Sequence, residues 1–240
     1  MPTISKHCDK HGDYESVQFD AMGIIMESDC PVCSEEFDAL EAREKETASE
    51  AQIIERAKAM NIRPEFLKAS FSNFIPHTDK LKNALDRTKQ LVNGELLSLL
   101  FAGSCGTGKT HLACAALNAK GAGKIMTMYE ISATIRASFT AKLTRTELEI
   151  VDELASVPLL VIDEIGRSKG SESELSWLSY IIDKRHASYL PLILISNKKF
   201  RADCTDGDCI ENYFGEDVIS RITQKGSMLR FEGEDYRARH

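Results

Sequence analysis

Apolar residues recur along this chain in two alternating rhythms. Short, continuously apolar runs occupy Leu96 to Ala102, Lys124 to Tyr129, Pro158 to Ile162, Leu192 to Ser196 and Met228 to Phe231. Runs of this length and character are strands buried on both faces, as in a parallel sheet. Between them lie stretches with apolar residues at helical spacing: Leu81 to Val92, the Ala/Leu-rich segment ending at Leu117, Ser132 to Leu143 and Glu172 to Ser188. A shorter one starts at Glu216 and carries Val218 and Ile222. Strand and helix in alternation predict an α/β fold, a parallel sheet sandwiched by helices. Upstream, Ser34 to Met60 has no Gly or Pro and few apolar residues. It predicts a charged helix, either a solvated linker or a partner-binding surface. Pro64 interrupts it, and Phe66, Leu67, Phe71, Phe74 and Ile75 follow in close succession. That density predicts a segment packed on the next domain, with Phe71 or Phe74 either lining a nucleotide-base pocket or belonging to the core.

Two strand ends carry chemistry. The first apolar run ends in GSCGTGKT, Gly103 to Thr110, and fits the phosphate-binding P-loop pattern G-x-x-x-x-G-K-[ST]. Gly103, Gly106 and Gly108 let the backbone N–H groups of the loop, with Ser104, Cys105 and Thr107, close on phosphate oxygens. The helix start that continues into His111 adds partial positive charge. Lys109 is expected to reach the β- and γ-phosphates of ATP, and Thr110 to bind Mg²⁺. The third run ends in Asp163 and Glu164. Asp163 is expected in the Mg²⁺ shell, and Glu164 to polarise the attacking water. Asn197, closing the fourth run, offers an amide to the water or the γ-phosphate, or a loop cap.

Composition adds limits. The chain has 240 residues, 42% apolar and 28% charged, enough for one α/β core with a small appendage. Net charge is −7, which argues against a module built mainly to grip DNA, although a local basic surface such as Lys198, Lys199 and Arg201 remains compatible. No run approaches a membrane span and no secretory leader is visible, so no membrane role and a cytoplasmic location are expected. Of seven cysteines, Cys8 and Cys30-x-x-Cys33 stand out. With His11 they form C-x-x-H and C-x-x-C pairs at two-knuckle spacing, which predicts a closed structural Zn²⁺ site. His7 is the rival fourth ligand. Cys105 and Cys114 read as small packing residues, and Cys204 and Cys209 as neither a disulfide nor a metal pair.

GSCGTGKT, LLVIDEIG, IIDKRHASYLPLILISN, VISRI and the closing DYR, in this order, resemble the AAA+ ATPases of the DnaC-type replicative helicase loaders and the related IstB-type transposition helpers. The resemblance spans roughly Phe66 to Arg237, and the N-terminal Cys/His pairs are similar to those of phage-borne DnaC-like proteins. It implies a zinc-binding module at 1–34, a linker helix at 35–65 and an AAA+ domain at 66–240. It also implies Walker A at Lys109 and Thr110, Walker B at Asp163 and Glu164, sensor 1 at Asn197, an arginine finger acting on a neighbouring subunit at Arg221, and a second sensing arginine at Arg237. Arg136, Phe139 and Lys142 fall where such proteins touch single-stranded DNA, although Phe139 fits a core equally well. A DnaB-type helicase and an ATP-dependent homo-oligomer are the implied partners. With little chain after Arg237, an absent or minimal helical lid is expected.

Overall fold

The computed structural model describes residues 3–21, 24–140, 145–167, 172–233 and 235–236. Two compact units divide at Ile54 and Glu55.

In the first unit, β1 (Thr3–Cys8), β2 (Gly12–Ala21) and β3 (Ile24–Glu27) form an antiparallel meander. The helix α1 (Pro31–Ala59) begins directly after Cys30, so Cys33 stands in its first turn. Among the described side chains of residues 3–34, only Ser16 and Cys30 are buried. Ser16 Oγ donates to the Ser28 carbonyl at 2.7 Å. Among these described side chains, backbone pairing and polar contacts hold the strands together.

The second unit is a three-layer sandwich. Its helices are α2 (Asp79–Val92), α3 (Lys109–Lys120), α4 (Met128–Thr140), α5 (Glu147–Ser156), α6 (Glu172–Ala187), α7 (Ile210–Phe214) and α8 (Glu216–Gln224). Its strands are β4 (Ser98–Gly103), β5 (Lys124–Thr127), β6 (Leu160–Ile165), β7 (Leu192–Ser196) and β8 (Gly226–Phe231). They form one parallel sheet in the order β5-β6-β7-β4-β8. Strand alternation divides the core. Leu99, Phe101, Val161, Ile193 and Phe231 pack with α2 and α3 on one face. Leu100, Ala102, Ile162 and Leu194 pack with α4, α5, α6 and α8 on the other. From β4 the chain crosses to the β5 edge, and from β7 it returns past β4 to β8. The switch therefore lies between β4 and β7, where ligands meet the carboxyl ends of an open sheet.

Two differences from the sequence reading have local causes. The second core strand stops at Thr127 rather than Tyr129, because Thr127 and Glu130 form a reciprocal cap: Glu130 N–H donates to Thr127 Oγ1 at 3.1 Å and Thr127 N–H to Glu130 Oε2 at 2.7 Å. Helix α5 adds an element not anticipated, started by the same device at Thr146 and Glu149.

One buried cation secures the far layer. Arg185 on α6 is 1% exposed. Its guanidinium donates to the carbonyls of Leu154, Ala155 and Val157, at and beyond the end of α5, and to Pro191 before β7. Burial lowers its pKa to about 10, which leaves it charged at neutral pH. Its fork satisfies the orphan carbonyls of a helix end, a geometry that Lys does not reproduce. Arg185→Ala is expected to remove about 3 kcal/mol or more of stability, read as a fall in thermal midpoint of roughly 6–12 °C by calorimetry. An unchanged midpoint would contradict this role.

Candidate functional site

The carboxyl ends of β4, β6 and β7 enclose a cavity of about 540 Å³, a size that suits a nucleotide. Cys105, Gly106, Thr107, Gly108, Lys109, Thr110 and His111 line it, together with Asp163, Glu164 and Asn197. Gly108 precedes α3 at φ +89°, a left-handed conformation that turns the first helical N–H groups toward the loop. Gly103 and Ser104 stand behind the cavity, and their carbonyls accept from Lys109 Nζ at 2.8 and 2.5 Å. A side chain at Gly103 would lie 2.1 Å from the Phe231 carbonyl, so only glycine lets β8 approach the loop.

Thr110 Oγ1 donates to Asp163 Oδ2 at 2.8 Å, bringing together the two oxygens expected to hold Mg²⁺. Asp163 is largely buried, and burial raises its carboxyl pKa against the opposing effects of Thr110 and the Glu164 N–H. A bulge in β6 shapes this corner. Ile162 faces Leu194 and Ile165 faces Ser196, so Asp163 and Glu164 together oppose one residue of β7. Glu164 adopts φ +58°, unusual for a non-glycine residue. The bulge leaves Asp163 and Glu164 both lining the cavity.

Several lining residues were not anticipated as site residues. Arg63, Asn73, Tyr236 and Arg167 all border the cavity. Arg63 stacks over Phe66 at 5.2 Å, and its charge lowers the Asp163 pKa. Tyr236 donates its N–H to the Gly106 carbonyl at 3.1 Å and its hydroxyl to the Ile75 carbonyl at 3.0 Å, and stacks on His77. Asn73 Oδ1 accepts from the Ser70 N–H at 2.9 Å, so the His111 nitrogen 2.8 Å away is its second donor. Burial lowers the His111 pKa and favours this neutral ring. Phe74 lines the cavity, whereas Phe71 packs against the adjoining core. DYR gave a signal for Tyr236; nothing in the sequence singled out Arg63 or Asn73.

Other predicted residues stand elsewhere. Arg221 on α8 does not line this cavity and pairs with Asp183 at 2.7 Å. Arg136 and Phe139 lie on α4, and Phe139 is 64% exposed rather than part of the core. Lys142 and Arg237 lie outside the described residues.

In the first unit, Cys8, His11, Cys30 and Cys33 place their ligand atoms within 4.8 Å of one another. His11 Nδ1 lies 3.8, 3.7 and 3.3 Å from the sulfurs of Cys8, Cys30 and Cys33, and Cys8 Sγ lies 3.6 Å from Cys33 Sγ. The edges of a tetrahedral Zn²⁺ site with these ligands are about 3.5–3.8 Å, so the set fits. The electrostatics agree. Backbone N–H groups of Lys10 and His11 lower the Cys8 thiol to about 6, while the neighbouring Cys8 thiol, with burial, raises Cys33 to about 11. Crowded thiols of this kind are what a dication stabilises as thiolates. His11 Nε2 reaches Glu36 at 3.3 Å, which orients Nδ1 toward the sulfurs. His7, the rival ligand, faces Asp13 instead. The cysteines are free thiols, Cys204 and Cys209 among them. Burial pushes the Cys114 thiol up to about 12, as expected of a packing residue.

A P-loop at the switch of a parallel sheet, facing two carboxylates across a nucleotide-sized cavity, defines a P-loop nucleoside triphosphatase. The family model for the IstB-like ATP binding protein matches residues 71–240. Replicative helicase loader DnaC of Escherichia coli K12 is 31% identical over 186 residues, covering 74% of this chain and 73% of that protein. DnaC of Buchnera aphidicola subsp. Schizaphis graminum is 31% identical over 213 residues, covering 81% and 83%. The crystal structure of the DnaC helicase loader superposes with a TM-score of 0.59 at 23% identity, over 71% of this chain and 100% of that one. The chain belongs to the IstB/DnaC-like family of AAA+ ATP-binding proteins. Among the described residues, no helix is long and apolar enough to cross a membrane.

Proposed function

We propose that this protein is an ATP-dependent loader of a DnaB-type replicative helicase onto single-stranded DNA, acting in the cytoplasm. The observation that carries the reading is the Thr110–Asp163–Glu164 corner beside the P-loop, in a chain whose relatives are replicative helicase loaders. Lys109 leaves the carbonyls of Gly103 and Ser104 to meet the β- and γ-phosphates. Thr110 and Asp163 hold Mg²⁺, which supplies charge neutralisation at the phosphates when bound. Glu164 orients water for in-line attack on the γ-phosphorus; the bond to the β–γ bridging oxygen breaks and ADP leaves. Asn197 steadies that water or the γ-phosphate.

Because Arg221 does not line its own cavity, it suits a finger offered to a neighbouring copy in an ATP-bound homo-oligomer. Arg221→Ala is expected to keep ATP binding and lose stimulated turnover, roughly 10³-fold as for other trans-acting arginines. Full stimulated ATPase in that variant would remove the finger role. Arg237 is proposed as a second sensing residue and Arg136, Phe139 and Lys142 as DNA contacts. Functionally we divide the chain into a zinc-binding module at 1–34 that engages the helicase, a linker helix at 35–65 and the ATPase domain at 66–240.

Size-exclusion chromatography with light scattering, mixing this protein with its host's replicative helicase with and without ATP, tests the reading. A discrete complex supports it and gives the stoichiometry. The IstB-like family match supports a second reading, a transposition helper that binds duplex DNA and a transposase. No helicase complex in either nucleotide state, together with ATP-dependent duplex binding, would favour that second reading.

A further inference from the structure

Arg63 reaches the nucleotide-sized cavity from a rigid mount. Helix α1 ends in a Schellman turn: Asn61 takes a left-handed φ of +59°, and the Ile62 N–H donates back to the Ala57 carbonyl at 2.8 Å. The turn is fastened to the edge of the parallel sheet. The Ile125 N–H donates to the Met60 carbonyl at 2.9 Å, and Asn61 Nδ2 donates to the Ile125 carbonyl at 2.9 Å. Ala57, Met60 and Ile62 are buried. Pro64 follows and keeps Arg63 extended, at φ −67° and ψ 151°. The side chain is placed by two ring contacts. Its guanidinium lies over Phe66, 5.2 Å from the ring centroid, and Phe66 meets the His111 ring edge-on at 6.3 Å. His111 stands in the first turn of α3 and lines the cavity.

We propose that Arg63 binds the α-phosphate of the nucleotide, as a second cation beside Lys109, and gives up Glu65 to do so. The inference rests on the reading of this cavity as an ATP site. In a P-loop the backbone N–H groups at the start of the helix cradle the α- and β-phosphates, while the lysine reaches the β- and γ-phosphates. The α-phosphate is the one that Lys109 leaves uncovered, and it comes to the helix turn that Arg63 and Phe66 flank. A guanidinium stacked on a ring keeps its in-plane N–H groups available to an anion. Glu65 competes for them at 3.4 Å, but the two side chains are 59% and 55% exposed, so that pair is weak and readily exchanged. ADP and ATP both carry an α-phosphate. The contact therefore strengthens binding of either and adds nothing special at the transition state.

The test is displacement of a fluorescent nucleotide from the full chain by ADP and by the non-hydrolysable ATP analogue AMP-PNP, alongside steady-state ATPase and a thermal midpoint without nucleotide. Arg63→Ala is expected to raise the Kd of both nucleotides alike, by about ten-fold, the order of one charge-assisted hydrogen bond, with kcat at saturating ATP unchanged. Arg63→Lys, a point charge without the fork, is expected to lose about three-fold. Glu65→Gln, which removes the competing anion, is expected to tighten both nucleotides about two-fold in the parent and to have no effect in the Arg63→Ala background. Parental affinities in an Arg63→Ala protein of unchanged midpoint overturn the proposal alone. Loss of AMP-PNP binding with ADP unaffected, or a fall in kcat at saturation, overturns the assignment to the α-phosphate. Where Arg63→Ala lowers the midpoint, Glu65→Gln decides, and unchanged affinities in it overturn the proposal. A parent that binds neither nucleotide overturns both the proposal and the ATP site it rests on.

Discussion

Glu164→Gln is expected to bind ATP with parental affinity while turnover falls by about 10²- to 10⁴-fold. The substitution keeps the size of the side chain and the bulged backbone but removes the charge that orients water. Asp163 and Thr110, which face each other at 2.8 Å, are untouched, so nucleotide affinity should survive. Equilibrium binding of a fluorescent ATP analogue and single-turnover hydrolysis separate the two quantities. A variant that keeps more than a tenth of parental turnover would assign the water to another group.

The second large effect concerns metal removal. Cys8, His11, Cys30 and Cys33 converge in a unit where the described side chains of residues 3–34 offer almost nothing buried to replace them. Structural Zn²⁺ sites in small modules contribute about 10–16 kcal/mol of apparent binding free energy, more than such a meander can supply from its own packing. Chelation of the full chain should release one equivalent of zinc and collapse the amide chemical-shift dispersion of residues 3–34. Cys30→Ser should reproduce the collapse without chelator. Spectra indifferent to both treatments would show a unit that holds itself together without metal.

Much of the ATPase core was legible because its signals are local. β7 appears at Leu192–Ser196, the span its apolar run predicted, and the P-loop, Asp163, Glu164 and Asn197 meet where strand ends must meet in a parallel sheet. The cap at Thr127 and Glu130 was equally local but was overridden by an apolar run that continued through Met128 and Tyr129. Thr146 and Glu149 gave a start signal for α5, and Ile150, Val151, Leu154 and Ala155 behind it form its buried face. The meander of β1, β2 and β3 left little periodic trace: along β1 exposed and half-buried positions alternate, but Lys6 takes one of the half-buried ones. Arg63, Asn73 and Tyr236 reach the nucleotide cavity from segments distant in sequence. Their convergence is a property of packing, and no spacing rule encodes it.

The sheet order has a consequence for how this molecule is made. β4 carries the P-loop, yet its two neighbours, β7 and β8, are synthesised roughly 90 and 130 residues after it. During translation the central strand therefore waits with both backbone edges unpaired, the condition in which nascent strands are most exposed to wrong partners. The phosphate-binding loop gains its Phe231 and Tyr236 supports only when the C-terminal segment emerges. The P-loop of this chain is encoded more than a hundred residues before the segment that completes its site, so a product interrupted between them would carry the motif without the site.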